Sequence, residues 1–460
     1  MSHGAAHTTV VWFRDDLRVA DHPALAAAAE QGPVVCLFVL DEVSPGVRPL
    51  GGAAKWWLHH SLTALALDLE RLGVPLVLRR GAASDVVPQV VETAGATQVV
   101  WNRRYGGAER EIDARLKASL RAGGVAAHSF RGGLLREPWT IATEGGTPYR
   151  VYSAFWRQLL RLPAPAAPIL APKALVPGGP AVASEPLGSW SLQPREPDWA
   201  AGLRDRWVPG EAQAHARLAA FLAGPSEDYD GARDQLGARG TSELSPHLRW
   251  GEISPRQVWH AAVSSGRPVG SFLSEIGWRE FAWHTLFHYP DLHRVSLDGR
   301  FDPYAWAVRP EGEHAALLTA WQRGSTGFAI VDAGMRELWH TGTMHNRARM
   351  ITASLLTKNL GIEWREGEAW FWDTLVDADQ ASNPFNWQWV AGCGLDAAPY
   401  FRIFNPELQA KKFDATGAYQ RTWAADALAL PPIVDLRASR IDALARFDRV
   451  KEASLRQSGA

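Results

Sequence analysis

Glu275, Trp278 and Arg279 stand three and four residues apart. That spacing puts a carboxylate, an indole and a guanidinium on one helix face. Such a face suits recognition of a stacked base, and equally a salt-bridged surface helix. Met344-His345-Asn346-Arg347-Ala348-Arg349-Met350 packs an amide, an imidazole and two guanidiniums into seven residues. Asp377-Ala378-Asp379, followed by Asn383, adds carboxylates and an amide. Asp can pair with Arg at a polar edge, and Asn can both donate and accept. The same residues could form a purely structural network. As metal ligands they are a weak set, with no close pair of histidines, so no metal is expected. Gly240-Thr241-Ser242-Glu243-Leu244-Ser245-Pro246 precedes a helical stretch. Its hydroxyls and free N–H groups could hold phosphate oxygens or cap the helix. Trp364-Arg365-Glu366-Gly367-Glu368, Trp387-Gln388-Trp389 and the run from Asp396 to Pro406 are aromatic-rich.

These side chains need a scaffold. A chain of 460 residues, 46% apolar and 21% charged, is of ordinary globular composition. Its length suggests two to four domains. Short β-rich runs at Thr8–Phe13, Val34–Leu40, Pro75–Leu78, Gln98–Trp101 and Val125–Ser129 alternate with helical patterns. That alternation predicts a doubly wound parallel sheet over residues 1–135. No GxGxxG or P-loop turn accompanies it. Nine of the 30 prolines lie between Pro163 and Pro197. Proline so dense forbids helix interiors and central strands, so Pro163–Pro197 reads as extended, within an interdomain connector over residues 136–209. From 210 to 460 apolar residues recur at three and four spacing, as in Phe272–Phe287, Ile330–Leu338 and Arg347–Leu360. The third part reads as all-helical. The fold class is thus α/β plus all-α.

Two cysteines cannot build a disulfide framework or a four-cysteine metal or iron–sulfur site. No apolar run is long enough for a membrane helix, and Met1–Thr9 lacks a signal-peptide pattern. A cytoplasmic monomer is expected. A net charge of −1 leaves room only for a local basic patch towards nucleic acid. Fourteen of the 22 tryptophans follow residue 200, where they could fill the core, stack a planar ligand or relay electrons.

Together the motifs resemble the DNA photolyase/cryptochrome family, and most of all its bacterial cyclobutane pyrimidine dimer photolyases. The resemblance rests on Val11-Trp12-Phe13-Arg14-Asp15-Asp16-Leu17-Arg18, the Gly240–Pro246 segment, Trp278-Arg279-Glu280-Phe281, Met344–Met350, Trp364–Glu368, Trp387–Trp389 and Asp396–Pro406, in that order. It implies an antenna-type α/β domain, a connector and a helical FAD-binding domain. It implies FAD held by Tyr229, Thr241, Ser242, Glu243, Leu244 and Ser245, and around the flavin ring by Asn346, Arg349, Asp377, Ala378, Asp379 and Asn383. Glu275 and Asn383 are the catalytic candidates. Glu275, Trp278, Arg279, Asn346, Arg347, Met350, Trp389 and Arg402 match the part that binds damaged DNA, with a pyrimidine dimer flipped from the duplex. Lys411 and Lys412 extend the basic patch. Trp306, Trp364 and Trp387 match an electron relay. A second chromophore, methenyl-folate or deazaflavin, is left open, since Glu109 fits the folate motif and Ala108 does not. Thr343 and the stretch Ser382–Asn386 depart from the usual pattern. A cryptochrome-type photoreceptor and a (6-4) photolyase are the rival implications. Asn383 and the absence of a long tail argue against the first, and Asn346 after His345 against the second.

Overall fold

A computed structural model describes residues 7–458, apart from 239, 303, 305 and 398–400. Five strands, β1 (Thr9–Phe13), β2 (Val34–Leu40), β3 (Leu76–Arg80), β4 (Gln98–Asn102) and β5 (Ala126–Phe130), form one sheet in the order β3-β2-β1-β4-β5. Every neighbouring pair is parallel. Crossover helices α1 (Pro23–Gln31), α2 (Gly52–Arg71), α3 (Ala83–Ala94) and α4 (Gly107–Ala122) join them. Because strand side chains alternate, Val11, Phe13, Cys36 and Phe38 pack with α1 and α2. Val10, Trp12, Val35 and Leu37 pack on the other face with α3 and α4. Both faces are covered, which is why Val34–Leu40 is apolar throughout. The expected doubly wound sheet is therefore found, with strand ends shifted by a residue or two.

The proline-rich part of the connector is largely extended and is also pinned, but residues 136–209 include the helices Tyr152–Arg161 and Ala201–Arg206 at either end. Leu175 N donates to Leu72 O at 2.7 Å, Gly178 N to Val34 O at 3.0 Å and Glu185 N to Leu78 O at 2.8 Å. The last of these, with Leu78 N donating to Ser184 Oγ at 3.0 Å and Arg80 N to Glu185 Oε1 at 2.9 Å, covers the outer edge of β3, whose ladder groups would otherwise be unpaired. Arg80, at the end of β3, pairs with Glu185 at 2.8 Å.

From Ala201 onward the described residues form helices and turns. Arg347–Leu360, read from its periodicity as a single helix, is α-helical only over Asn346–Ser354 and then makes a π-helical turn over Leu355–Asn359. There Leu360 N reaches back five residues to Leu355 O at 2.9 Å. Among the described residues no helix is long and apolar enough to cross a membrane.

Charged groups tie the two domains together. Arg249 meets Asp15 at 2.7 Å, Arg256 meets buried Asp21 at 2.6 Å, and Trp57 donates to Glu252 at 3.0 Å. Glu280, on the helix Gly270–His288, accepts from Leu135 N at 2.9 Å and Arg136 N at 3.2 Å. Burial pushes its carboxyl up to about 7, against Arg279 and those two N–H groups. The folded chain therefore holds a proton that the unfolded chain, at its ordinary 4.5, releases. Stability should fall as pH rises through that window and level off above it. Glu280→Gln should flatten the fall, which we expect to be on the order of 3 kcal/mol; urea midpoints at acid and alkaline ends of the window check this.

Candidate functional site

Six helical segments contribute to the wall of a cavity of about 400 Å³. It continues into a wider cleft of about 670 Å³, and the two share Tyr229, Ser242, Leu244, Ser245, Glu275, Asn346, Arg349 and Asp377. Thr241 and Glu243 line the cleft; Ala378, Asp379 and Asn383 line the cavity. The residues expected around one ligand are thus brought to one continuous space.

Asp377 is its electrostatic centre. Its Oδ2 accepts from Ser245 Oγ at 2.6 Å and from Arg349 Nη2 at 2.8 Å. Its Oδ1 is buried with no hydrogen-bond partner among the described residues. A buried, unpaired carboxylate oxygen is costly unless a donor meets it. Arg349 Nε also donates to Met344 O at 2.8 Å, which fixes its fork. Asp379 caps the helix Ser382–Ala391, accepting from Ala381 N at 2.8 Å and Ser382 N at 2.5 Å. Ser382 and its neighbours, which depart from the expected pattern, thus still build a capped helix start. Asn383, one residue inside, donates from Nδ2 to Glu368 O at 3.1 Å and Glu368 Oε1 at 2.9 Å. Both partners are acceptors, so the amide carbonyl turns towards the cavity. Glu243 sits at positive φ (53°) and pairs with Arg206 and Arg217, holding the Gly240–Pro246 segment in place. Thr343 lines the wider cleft, 3.5 Å from Arg349.

The same cavity is walled by Glu275, Trp278, Arg279, Met350 and Trp389. Trp278 stacks on Tyr152 with centroids 3.6 Å apart, so one indole face is already covered. Tyr152 lies within residues 136–209, on the helix Tyr152–Arg161 that precedes the prolines, and nothing in its local sequence marked it. Glu275 pairs with Arg233 at 2.7 Å. Arg233 was also missed, although it lies one helical turn past Tyr229, over whose ring it sits at 5.3 Å. Burial, and then Glu275, raise the Tyr229 hydroxyl to about 12.

Of three expected cations, two are already engaged within the protein. Arg279 lines the cavity, but its guanidinium is spent on Gly133 O at 3.0 Å and Leu248 O at 3.3 Å. Arg347 pairs with Asp234 at 2.7 Å and lies 4.3 Å over Phe413. Arg402 is exposed, 5.0 Å over the ring of Trp389. Ala398, Pro399 and Tyr400 of the Asp396–Pro406 run lie outside the described residues. Lys411 and Lys412 are exposed.

Trp387 lines the cavity and is buried against Phe371, 4.9 Å between centroids. Gly367 faces its ring so closely that a side chain there would collide. Trp364 is buried in the same core, and Trp306 packs at its margin, 4.8 Å from Tyr304.

Residues 9–173 match the family described as DNA photolyase, and residues 272–448 match the FAD binding domain of DNA photolyase. A deoxyribodipyrimidine photo-lyase of Agrobacterium fabrum is 49% identical over 90% of this chain and 86% of its own. The chain belongs to the DNA photolyase family. Cryptochrome-1 of Arabidopsis thaliana, in the same family, is 38% identical over 93% of this chain and 64% of its own length. Among solved structures, a bacterial class III photolyase from Agrobacterium tumefaciens superposes with a TM-score of 0.91 at 44% identity, covering 98% of this chain and 100% of that one.

FAD fits this photolyase cavity on its own chemistry. Asp377 Oδ1 lacks a donor, the Asn383 carbonyl is turned inward, and Arg349 supplies charge beside them. The Arg349–Asp377 pair should be worth keeping intact. Arg349→Ala leaves a buried carboxylate unpaired and should cost about 2–3 kcal/mol. Adding Asp377→Asn should recover part of that loss in urea unfolding.

Proposed function

We propose that the chain repairs cyclobutane pyrimidine dimers in DNA, using FAD held in the cavity and blue light. One observation carries this reading. The Asp377/Arg349/Asn383 group and the Glu275/Trp278/Met350/Trp389 group line a single cavity, so a flavin and a flipped dinucleotide would meet there.

Bound reduced FAD, when excited by blue light, supplies an electron that opens the cyclobutane ring and then takes it back. The protein's own tasks are holding and shielding. Asp377 would hold an N–H of the flavin edge, with Arg349 balancing its charge, and the Asn383 carbonyl would take a second N–H. Tyr229, Thr241, Ser242, Leu244 and Ser245 line the path that the diphosphate and ribose would take, while Glu243 anchors their loop from behind. Trp278 and Trp389 give apolar walls for the flipped bases. Glu275, steadied by Arg233, orients the dimer's polar edge. Arg402, Lys411 and Lys412 offer exposed cations to phosphates. Arg347 and Arg279, already paired, shape the pocket instead. Trp387, Trp364 and Trp306 would serve as the relay that passes electrons to bound FAD. His345 caps a helix through its Nδ1, accepting from Arg347 N at 3.2 Å, and burial lowers it to about 4. A neutral, committed imidazole supports the cyclobutane reading over the (6-4) one. Glu109 is buried and accepts from Gln380 at 2.6 Å. A methenyl-folate or deazaflavin antenna would have to displace that contact or bind elsewhere.

The test is illumination of purified protein with oligonucleotides carrying one defined lesion. Cyclobutane dimers should revert under blue light and (6-4) products should persist. No light-dependent loss of either lesion would instead favour a photoreceptor.

Trp387→Phe should bind FAD, since the volume is nearly kept. It should fail to photoreduce oxidised FAD, because Phe is much harder to oxidise. Reduced chemically beforehand, the variant should still revert dimers.

A further inference from the structure

The loop between β2 and α2 touches the wall of this cavity. Arg48 makes two parallel hydrogen bonds to Glu368, Nη1 to Oε1 at 2.7 Å and Nη2 to Oε2 at 2.8 Å. Its guanidinium lies 4.0 Å from the ring centroid of Trp372, one turn along the same helix, Trp364–Thr374. Trp372 Nε1 donates to Pro49 O at 2.9 Å, and Gly52 N donates to Asp373 Oδ1 at 2.8 Å. Gly51 meets the Trp372–Asp373 backbone too closely for any side chain. The loop is thus seated on both sides of Arg48, and Arg48 cannot drift.

Glu368 is 2% exposed. Away from Arg48, its Oε1 and its main-chain carbonyl both accept from Asn383 Nδ2. Guanidinium carries donors only, so the carboxylate it grips presents only acceptors. Those acceptors decide which end of the Asn383 amide points where. We propose that Arg48 and Glu368 are positioning residues of the α/β domain and the helical domain that together lock Asn383 with its carbonyl facing the cavity. An amide locked that way welcomes an N–H on the ligand edge and opposes a bare lone pair. The α/β domain would thereby favour the reduced, protonated flavin from a distance. This rests on the reading of the cavity as the FAD site.

Without Arg48, the Glu368 carboxylate would be buried without its counter-charge and would turn or draw in water. Asn383 would then lose one of its two acceptors and could rotate. The full chain, purified with FAD, is photoreduced with an external thiol, and the return of oxidised flavin absorbance is followed in the dark in air. Arg48→Met should keep its FAD and re-oxidise about 5-fold faster, the scale of one lost hydrogen bond. Arg48→Met with Glu368→Gln should return to within about 2-fold of the parent, since a neutral amide needs no counter-charge and keeps a carbonyl acceptor. In an Asn383→Ala background, Arg48→Met should change the rate by less than about 2-fold, because its effect passes through Asn383. The proposal is overturned if Arg48→Met re-oxidises at the parent rate. It is equally overturned if the Asn383→Ala background leaves the Arg48 effect intact, or if Glu368→Gln gives no rescue. A parent protein that takes up no FAD would sink the reading of the cavity itself; the other outcomes, with FAD bound, sink only the positioning role.

Discussion

The carboxylate of Asp377 joins parts of the chain that are far apart in sequence. Ser245 reaches it from the segment after Gly240, and Arg349 from the helix Asn346–Ser354. The backbone just beyond it runs through Ala378, whose carbonyl accepts from Arg249 at 2.9 Å, into the Asp379 cap that starts the helix bearing Asn383 and Trp387. A buried carboxylate is tolerated only with charge and hydrogen bonds around it. The demand that Asp377 be satisfied therefore fixes where these segments meet. The cavity is the space left at that meeting point, and the unpartnered Oδ1 is the part of the demand that a ligand must meet.

The architecture was largely legible. Apolar runs such as Val34–Leu40 and the alternation with helical patterns suffice for a doubly wound sheet, because burial on both faces leaves no other pattern. The motif residues Ser245, Asn346, Arg349, Asp377 and Asn383 were also legible as a set. What the sequence could not show was how each cation is spent. Arg279 and Arg347 look like free charges on paper, yet backbone carbonyls and Asp234 claim them. Tyr152 behind Trp278 and Arg233 beside Glu275 were hidden because their partners are distant or lie on a short helix without a periodic signal. The π-helical turn at Leu355–Asn359 escaped for a related reason. Apolar periodicity continues through it, while the hydrogen-bond ladder shifts by one residue.

The two domains are held by charged and polar contacts set among apolar surfaces. Arg256–Asp21 and Arg48–Glu368 each place a guanidinium fork on a carboxylate, while Arg249 divides its donors between Asp15 and the Ala378 carbonyl. Forks of this kind add directional precision as well as attraction. Such precision matters here because the wall of the cavity, from Glu368 to Asn383, is carried by helices that rest on the α/β domain. The connector contributes by sealing the edge of β3 rather than by crossing the cavity.

The central claim is that this cavity is built for FAD. Protein purified in the dark, supplied with FAD and freed of excess, can be heat-denatured and the released chromophore identified by absorption and mass. The account predicts FAD in amounts equimolar with the chain. A released chromophore of another mass, or no flavin at all, would contradict it.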